Sequence, residues 1–367
     1  MRPQPLPAVL VLASALALFP ARPARADGPD PDPDQDQDLA RAIAHTFMRE
    51  HPPERLRWSW EEAVAVEGLL ACGRRANDPA PLAYARAWVD AHEREALTVA
   101  LWADAAAPAA TALALLRTPL ARPRDVRIAA RVDAYVRRGA KRTRGGALSH
   151  TGDLLGGTLP AQAWVDSLFM HGVYLNRRGR REPWARVEAR RLGLAVTRAL
   201  GDPETGLFRH AAIDLPGGGL LRLPAERCFW ARGNGWAAFF LTDVAPAPEL
   251  AVARDRLLAA VVAAQDPATG LWRTDLLGGA SDDNPLETSA SALFIAALAR
   301  AGRSPEAVAR GLAGIRARVR RERAGAVVTG TSLGTTPGTR AQYRLVPLGD
   351  DAPHGVGAVL LALAAGR

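Results

Sequence analysis

The sequence predicts an all-α chain folded as an (α/α)6 toroid, a barrel of six helical hairpins. Three observations carry that expectation. Apolar residues recur at helical spacing from Leu39 onward, strand signals are nearly absent, and one short turn sequence repeats at a distance that fits a helical hairpin. With 367 residues, 48% hydrophobic and 23% charged, the chain can bury a sizeable core. That composition excludes a disordered, collagen-like or disulfide-scaffold protein.

The elements follow in chain order. Residues 1–26 combine a positive start at Arg2, an apolar stretch from Ala8 to Phe19 and the small-x-small end Ala24-Arg25-Ala26, which predicts a secretory signal peptide. The competing reading is an uncleaved membrane anchor, but the stretch is shorter than the roughly 18 residues a spanning helix needs. After cleavage the protein is expected to be periplasmic or extracellular, with no membrane association. Residues 27–38 read DGPDPDPDQDQD, an acidic Pro/Asp tract expected to be a disordered linker because it has almost no apolar surface to bury.

From there a single domain, 39–367, is expected, with helices near 39–50, 59–74, 80–94, 106–117, 124–139, 162–177, 183–199, 233–243, 248–265, 286–302, 305–321 and 355–365. Gly, Pro and Asp break the pattern between them. Asp202-Pro203-Glu204-Thr205-Gly206-Leu207-Phe208-Arg209 recurs as Asp266-Pro267-Ala268-Thr269-Gly270-Leu271-Trp272-Arg273, six identities in eight positions at a shift of 64 residues. Weaker copies stand at Gly146-Ala147-Leu148-Ser149-His150 and Gly330-Thr331-Ser332. A hairpin that exposes an apolar face on each side needs two neighbours, and six of them satisfy one another by closing a ring. The repeated loops would then share one rim, where their Trp and Phe side chains are expected to form platforms for sugar rings.

Charge narrows the partners. Lys plus Arg (47) exceed Asp plus Glu (38), a balance of +9, and Lys141 is the only lysine. Without the first 26 residues and their three arginines, 341 residues remain at +6. No basic run and no nucleic-acid motif accompany that excess, so nucleic acid is not an expected partner, whereas an acidic small substrate is compatible with it. Cys72 and Cys228 are the two cysteines. Export would permit them to pair, and two buried free thiols are the other reading.

Four segments hold the candidate chemistry. In Gln162-Ala163-Trp164-Val165-Asp166-Ser167-Leu168-Phe169-Met170, Asp166 is the one acid among apolar neighbours, which should raise its pKa; a helix cap is the alternative. In Phe229-Trp230-Ala231-Arg232-Gly233-Asn234-Gly235-Trp236, Arg232 offers a planar fork to a carboxylate between two stacking rings, or else braces those rings itself. His150 and His210 occupy equivalent places in the repeat, so one rim should carry both. No Cys, Asp or Glu at metal-ligand spacing accompanies them, which argues against zinc, and no cofactor is expected. Glu287, in Asn284-Pro285-Leu286-Glu287-Thr288-Ser289, is either catalytic or a structural acid that binds nearby backbone donors. Ser289 has no nucleophile-elbow sequence, so a serine hydrolase is disfavoured.

Taken together, the segments resemble glycoside hydrolase family 105, the unsaturated rhamnogalacturonyl hydrolases, and more distantly family 88, the unsaturated glucuronyl hydrolases. The resemblance rests on AWVDSLFM (163–170), TGLFRH (205–210), FWARGNGW (229–236), TGLW (269–272), LETSASALF (286–294), GTSLGT (330–335) and HGVGAVLLA (354–362), in the family's order. It implies a glycosidase that removes a terminal 4,5-unsaturated uronic acid from oligosaccharides left by polysaccharide lyases. The catalytic Asp of the family falls on Asp166, which would protonate the enol-ether double bond and then draw a proton from the attacking water. The same transfer puts His150, His210, Trp230, Arg232 and Trp236 around the substrate, with Arg232 on its carboxylate. It puts a second site Asp on Asp104, with Asp90 as the alternative. The protein is expected to act as a monomer on an acidic oligosaccharide. Runner-up readings are another toroid activity on acidic glycans, such as a polysaccharide lyase, and a non-catalytic sugar-binding toroid. The first third departs most from the family, Trp58-Ser59-Trp60-Glu61 matching its aromatic opening only loosely.

Overall fold

A computed structural model describes residues 33–366 except 282 and 324. The expected signal peptide, and the expected linker up to residue 32, lie outside the described residues. Inner helices are α2 (Trp60–Ala76), α6 (Ala109–Leu115), the pair α8 (Ser167–Met170) and α9 (Gly172–Gly179), α11 (Ala231–Asp243), α13 (Thr288–Ala301) and α16 (Pro353–Ala365). Each packs on the next, and α16 packs back on α2, so the ring closes. Outside it lie α1 (Pro33–Glu50), α3 (Ala80–Ala91), α7 (Pro123–Ala134), α10 (Pro183–Leu200), α12 (Pro248–Ala263) and α14 (Pro305–Ala317), each against its inner partner. Three short helices, α4 (Glu93–Thr98), α5 (Ala103–Ala106) and α15 (Arg340–Arg344), sit in the connections. This is the predicted toroid of six helical hairpins.

Sequence character sorts the helices between layers. In α13 every residue from Thr288 to Leu298 is buried, and in α16 every residue from His354 to Leu363, because these helices carry apolar or small side chains all round. Outer helices such as α10 and α14 bury one stripe and turn arginines outward. Ring closure depends on glycine: a Cβ on Gly68 of α2 would lie 2.3 Å from the Gly357 carbonyl oxygen of α16. The two backbones therefore touch where the last inner helix meets the first.

The repeat is structural. Asp202 Oδ1 accepts from the backbone of Glu204 and Thr205 and from the Thr205 hydroxyl, and Asp266 Oδ1 does the same for Ala268 and Thr269. The glycines of all four copies, Gly146, Gly206, Gly270 and Gly330, have φ between 71° and 87°, the left-handed turn that glycine adopts without steric cost. The aromatic residue of the turn does something other than expected. Phe208 and Trp272 are buried, and Trp272 donates to the Val261 carbonyl and packs on Phe294. They wedge outer helix to inner helix and form no platform for a sugar.

Three segments depart from the predicted helices. The expected linker ends earlier than 38, because α1 starts at Pro33 with Asp34 and Asp36 in its first turn, where carboxylates favour the helix dipole, and Asp36 pairs bidentately with Arg316 of α14 at 2.7 and 2.9 Å. Residues 162–164, expected in a helix, form strand β1 (Gln162–Trp164), paired antiparallel to β2 (Ala211–Asp214), which pairs in turn with β3 (Leu220–Leu223). Beyond α14, β4 (Val319–Glu322) pairs with β5 (Gly325–Val328), and β6 (Thr331–Ser332) with β7 (Leu348–Gly349), where the helix was expected to continue to 321. β1 and β6 take partners from farther along the chain, whereas β2–β3 and β4–β5 are local hairpins of strands too short to stand out from a helical pattern. Cys72 and Cys228 are both buried and free, and burial pushes their thiols up to about 11 and about 12.

Candidate active site

The long connections from outer to inner helices all meet the N-terminal ends of the inner helices, so six such ends face one rim. Glu61, Asp104, Asp166, Arg232, Glu287 and His354 each lie within the first turn of an inner helix or in the connection that enters it. Helix N-termini offer unpaired N–H groups and positive potential, which suits an anionic ligand.

Within that rim the chain builds one unit twice. Asp104 Oδ1 lies 3.4 Å from His150 Nε2, and the His150 ring stacks on Trp164 at 4.2 Å. One hairpin later, Asp166 Oδ2 lies 3.1 Å from His210 Nε2, and His210 stacks on Trp230 at 4.3 Å. Trp102 meets His150 edge-on, as Trp164 meets His210. Histidine and tryptophan thus alternate through Trp102, His150, Trp164, His210 and Trp230. The sequence trace of this unit is Trp-x-charged, at Trp102-Ala103-Asp104, Trp164-Val165-Asp166 and Trp230-Ala231-Arg232. That periodicity was available in the sequence and selects Asp104. Asp90, the alternative, sits in an ion-pair network with Arg86, Arg122 and Arg124 on outer elements.

The two acids are pushed in opposite directions. Burial opposes ionisation of Asp166, but His210, by charge and contact, and His150 outweigh it and hold the carboxyl below the usual carboxylate range. This reverses the expectation of a raised pKa from apolar neighbours, because the histidines arrive from sequence-distant loops. Asp104 moves the other way: burial, then the charge of Asp166 and of Glu61, push it well above that range. Asp166 is also no helix cap, since its side chain accepts no N–H of α8.

Neighbouring hydroxyl groups orient both histidines. Tyr343 Oη lies 2.9 Å from His210 Nδ1 and accepts from the Gly338 N–H, which fixes the ring with its other nitrogen, Nε2, toward Asp166. His150 Nδ1 lies 3.1 Å from Ser167 Oγ, and burial pushes this ring down to about 4. Both histidines are buried behind the tryptophans, so they act on the acids and are not positioned as walls of an open cleft.

Two of the expected binding residues are placed differently. Trp236 is fully buried against Phe169 at 4.5 Å, because α11 carries it one turn deeper than Arg232, roughly 6 Å down the ring. It is a core residue. Arg232 is buried over the Trp230 ring at 4.7 Å, and its fork is occupied by the chain itself: Nη1 donates to the Ser332 carbonyl at 2.6 Å, Nη2 to the Leu333 carbonyl at 2.9 Å and to Thr335 Oγ1 at 3.1 Å. Glu287 accepts from Ser289, Ala290 and the Ser332 N–H, the structural role among its two expected readings. His354 Nε2 donates to the Ser332 carbonyl at 2.9 Å. Arg232, Glu287 and His354 together tie the 331–335 segment to the rim. Arg232→Lys should therefore lower the melting temperature by about 2–6 °C, since an ammonium cannot span the three acceptors. A raised KM at unchanged melting temperature would instead assign Arg232 to a substrate carboxylate.

Residues to which the sequence assigned no role complete the rim. Trp60 stacks near His354 at 4.9 Å, Glu61 Oε1 lies 3.6 Å from His354 Nδ1, and Tyr343 orients His210. Trp60 and Glu61 belong to the divergent first third, where only the loose match of Trp58-Ser59-Trp60-Glu61 points to them, and Tyr343 to a loop without a recognisable string.

Comparison with known proteins agrees with this architecture. An unsaturated rhamnogalacturonyl hydrolase, YesR of Bacillus subtilis (strain 168), is 29% identical over 277 residues, 72% of this chain and 75% of that protein. A possible member of the GH105 family from Salmonella enterica serovar Paratyphi A superposes with a TM-score of 0.78 at 23% identity over 98% of each chain. The unsaturated glucuronyl hydrolase of Bacillus sp. GL1 superposes with a TM-score of 0.72 at 16% identity, over 90% of this chain and 96% of that one. The profile of Glycosyl Hydrolase Family 88 matches residues 38–365, a span that takes in the whole ring and both Asp-His-Trp units, and the chain belongs to that family.

Proposed function

We propose that the protein removes a terminal 4,5-unsaturated uronic acid from lyase-generated oligosaccharides by hydrating the enol-ether double bond. The observation that carries this reading is the pair of acid–histidine–tryptophan units on one rim, Asp104 3.4 Å from His150 and Asp166 3.1 Å from His210, with burial and acidic neighbours pushing Asp104 up and His210 holding Asp166 down. Protonating an alkene carbon needs an acid that still holds its proton near neutral pH, and activating water needs a carboxylate that has lost it.

Asp104 gives its proton to C4 as the C4=C5 electron pair forms the new C–H bond. Positive charge develops at C5 and on the ring oxygen, and a water adds at C5 while Asp166 takes its proton. The product is a hemiketal that opens to a ketone and then expels the remaining sugar from C1, one water being consumed overall. This replaces the expectation that Asp166 serves as both acid and base. His210 steadies Asp166 as the carboxylate, and His150 keeps Asp104 oriented. The six helix N-termini supply the positive potential that an anionic uronate would meet. The same reading has the protein exported and acting as a monomer.

An absorbance trace tests the reaction. The unsaturated uronate conjugates its double bond to a carboxylate and absorbs in the ultraviolet, so absorbance of a lyase-generated unsaturated disaccharide should fall with first-order kinetics. A rise with intact pectin or glycosaminoglycan would make the protein a lyase, and an unchanged trace with measurable binding would make it a sugar-binding toroid.

A further inference from the structure

Away from the rim centre, a groove of about 520 Å³ runs along the outer flank of α10 and ends at the loop before His150. Four arginines line it: Arg144 from that loop and Arg190, Arg191 and Arg198 from α10. Arg144 already pairs with Asp214, and Arg190 donates to the Pro246 carbonyl at 2.6 Å. Arg191 and Arg198 are exposed and have neither a hydrogen-bond nor an ion-pair partner among the described residues, and the buried Nε of Arg190 has none either. Between them lie Val187 and Leu194, apolar surface of the kind a sugar ring's C–H face can cover.

Asp214 is taken up by Arg144 and Glu188 of α10 by Arg142, so Arg191 and Arg198 keep positive charge that an anion from outside can meet. Arg191 and Arg198 are seven residues apart on one helix, about 10 Å along its axis. A single carboxylate cannot bridge that distance, whereas successive uronates of one chain can place a carboxylate at each fork, a geometry guanidinium groups accept bidentately.

We propose that this groove is a second carbohydrate site, which binds a saturated, internal stretch of an acidic glycan through its carboxylates and holds the enzyme on its polymer. The class of ligand rests on the acidic-glycan reading of the active site; the groove itself does not. Isothermal titration of the full-length protein with saturated trigalacturonate, which has no double bond to hydrate, tests it, with maltotriose as neutral control. Trigalacturonate should bind with an affinity that falls as salt rises, and maltotriose should not bind.

Arg191→Gln/Arg198→Gln should weaken trigalacturonate by about tenfold or more. It should leave both the melting temperature and the rate on an unsaturated disaccharide at the parent's values, because neither side chain has a partner to lose. The charge-reversed Arg191→Glu/Arg198→Glu should abolish binding. No binding by the parent, equal binding by parent and variants, or tighter binding of a DNA duplex than of trigalacturonate would overturn the proposal. If the groove binds as expected while no unsaturated disaccharide is consumed, the proposed reaction fails and the second site stands.

Discussion

Asp166→Asn is expected to lower turnover of an unsaturated disaccharide at least about 10²-fold while the protein folds as before, since positioned proton transfer contributes roughly 10² to 10⁴. The substitution keeps the shape of the side chain and removes only its charge and its capacity to take a proton from water. No helix cap is lost, because the Asp166 carboxylate accepts no N–H of α8. KM should change little, as binding of the sugar does not require this group to be a base. A second consequence follows from the coupling of the acids: the charge of Asp166 helps raise Asp104, so the variant should bring the Asp104 pKa down toward the ordinary range. The residual rate would then decline at lower pH on its alkaline side. Steady-state kinetics across pH, with a thermal melt on the same preparation, decide the matter, and retained turnover at unchanged melting temperature would remove Asp166 from the mechanism.

Asp104→Asn should cost turnover on a comparable scale, about 10²-fold or more, because the amide has no acidic proton to give. The pH profile separates this role from a merely structural one. In the parent, kcat/KM should fall on the acid side as Asp166 takes up a proton, and on the alkaline side as Asp104, raised by burial and by its acidic neighbours, loses its own. In Asp104→Asn the alkaline decline due to that group should vanish from the residual rate while the acid one remains. If Asp166 performed both transfers, as the sequence alone suggested, Asp104→Asn would keep most of the turnover and the alkaline decline would survive.

Much of the site was legible in short strings. Asp166 stands out as a lone acid in an apolar helix start, and the equivalence of His150 and His210 follows from the repeat. Glu287 was readable as a structural acid from the small residues that follow it. What resisted reading was direction. In FWARGNGW the two tryptophans and the arginine look like one cluster, yet the structure sends Trp230 behind His210, Trp236 into the core on Phe169, and the fork of Arg232 onto the carbonyls of Ser332 and Leu333. Neighbours in sequence point to different surroundings once a helix begins between them, and the acceptors of Arg232 lie about a hundred residues away.

The twelve helical stretches of the ring and their order were determined by the sequence by itself, because apolar periodicity and turn residues are local properties that need no partner, whereas the short connecting helices α4, α5 and α15 and the break between α8 and α9 were not. The closure of the ring was determined almost as directly, since each hairpin needs a neighbour on both sides. Tertiary structure alone decided which carboxyl is pushed up and which is held down. Apolar flanks make Asp166 look like the raised acid, but a pKa is set by every charge within a few ångströms, and folding brings His210 from another hairpin onto Asp166 while it leaves Asp104 facing Asp166 and Glu61. The three short sheets were likewise beyond the sequence's reach, because β1 and β6 depend on partners from farther along the chain and the hairpin β4–β5 is too short to interrupt the helical pattern.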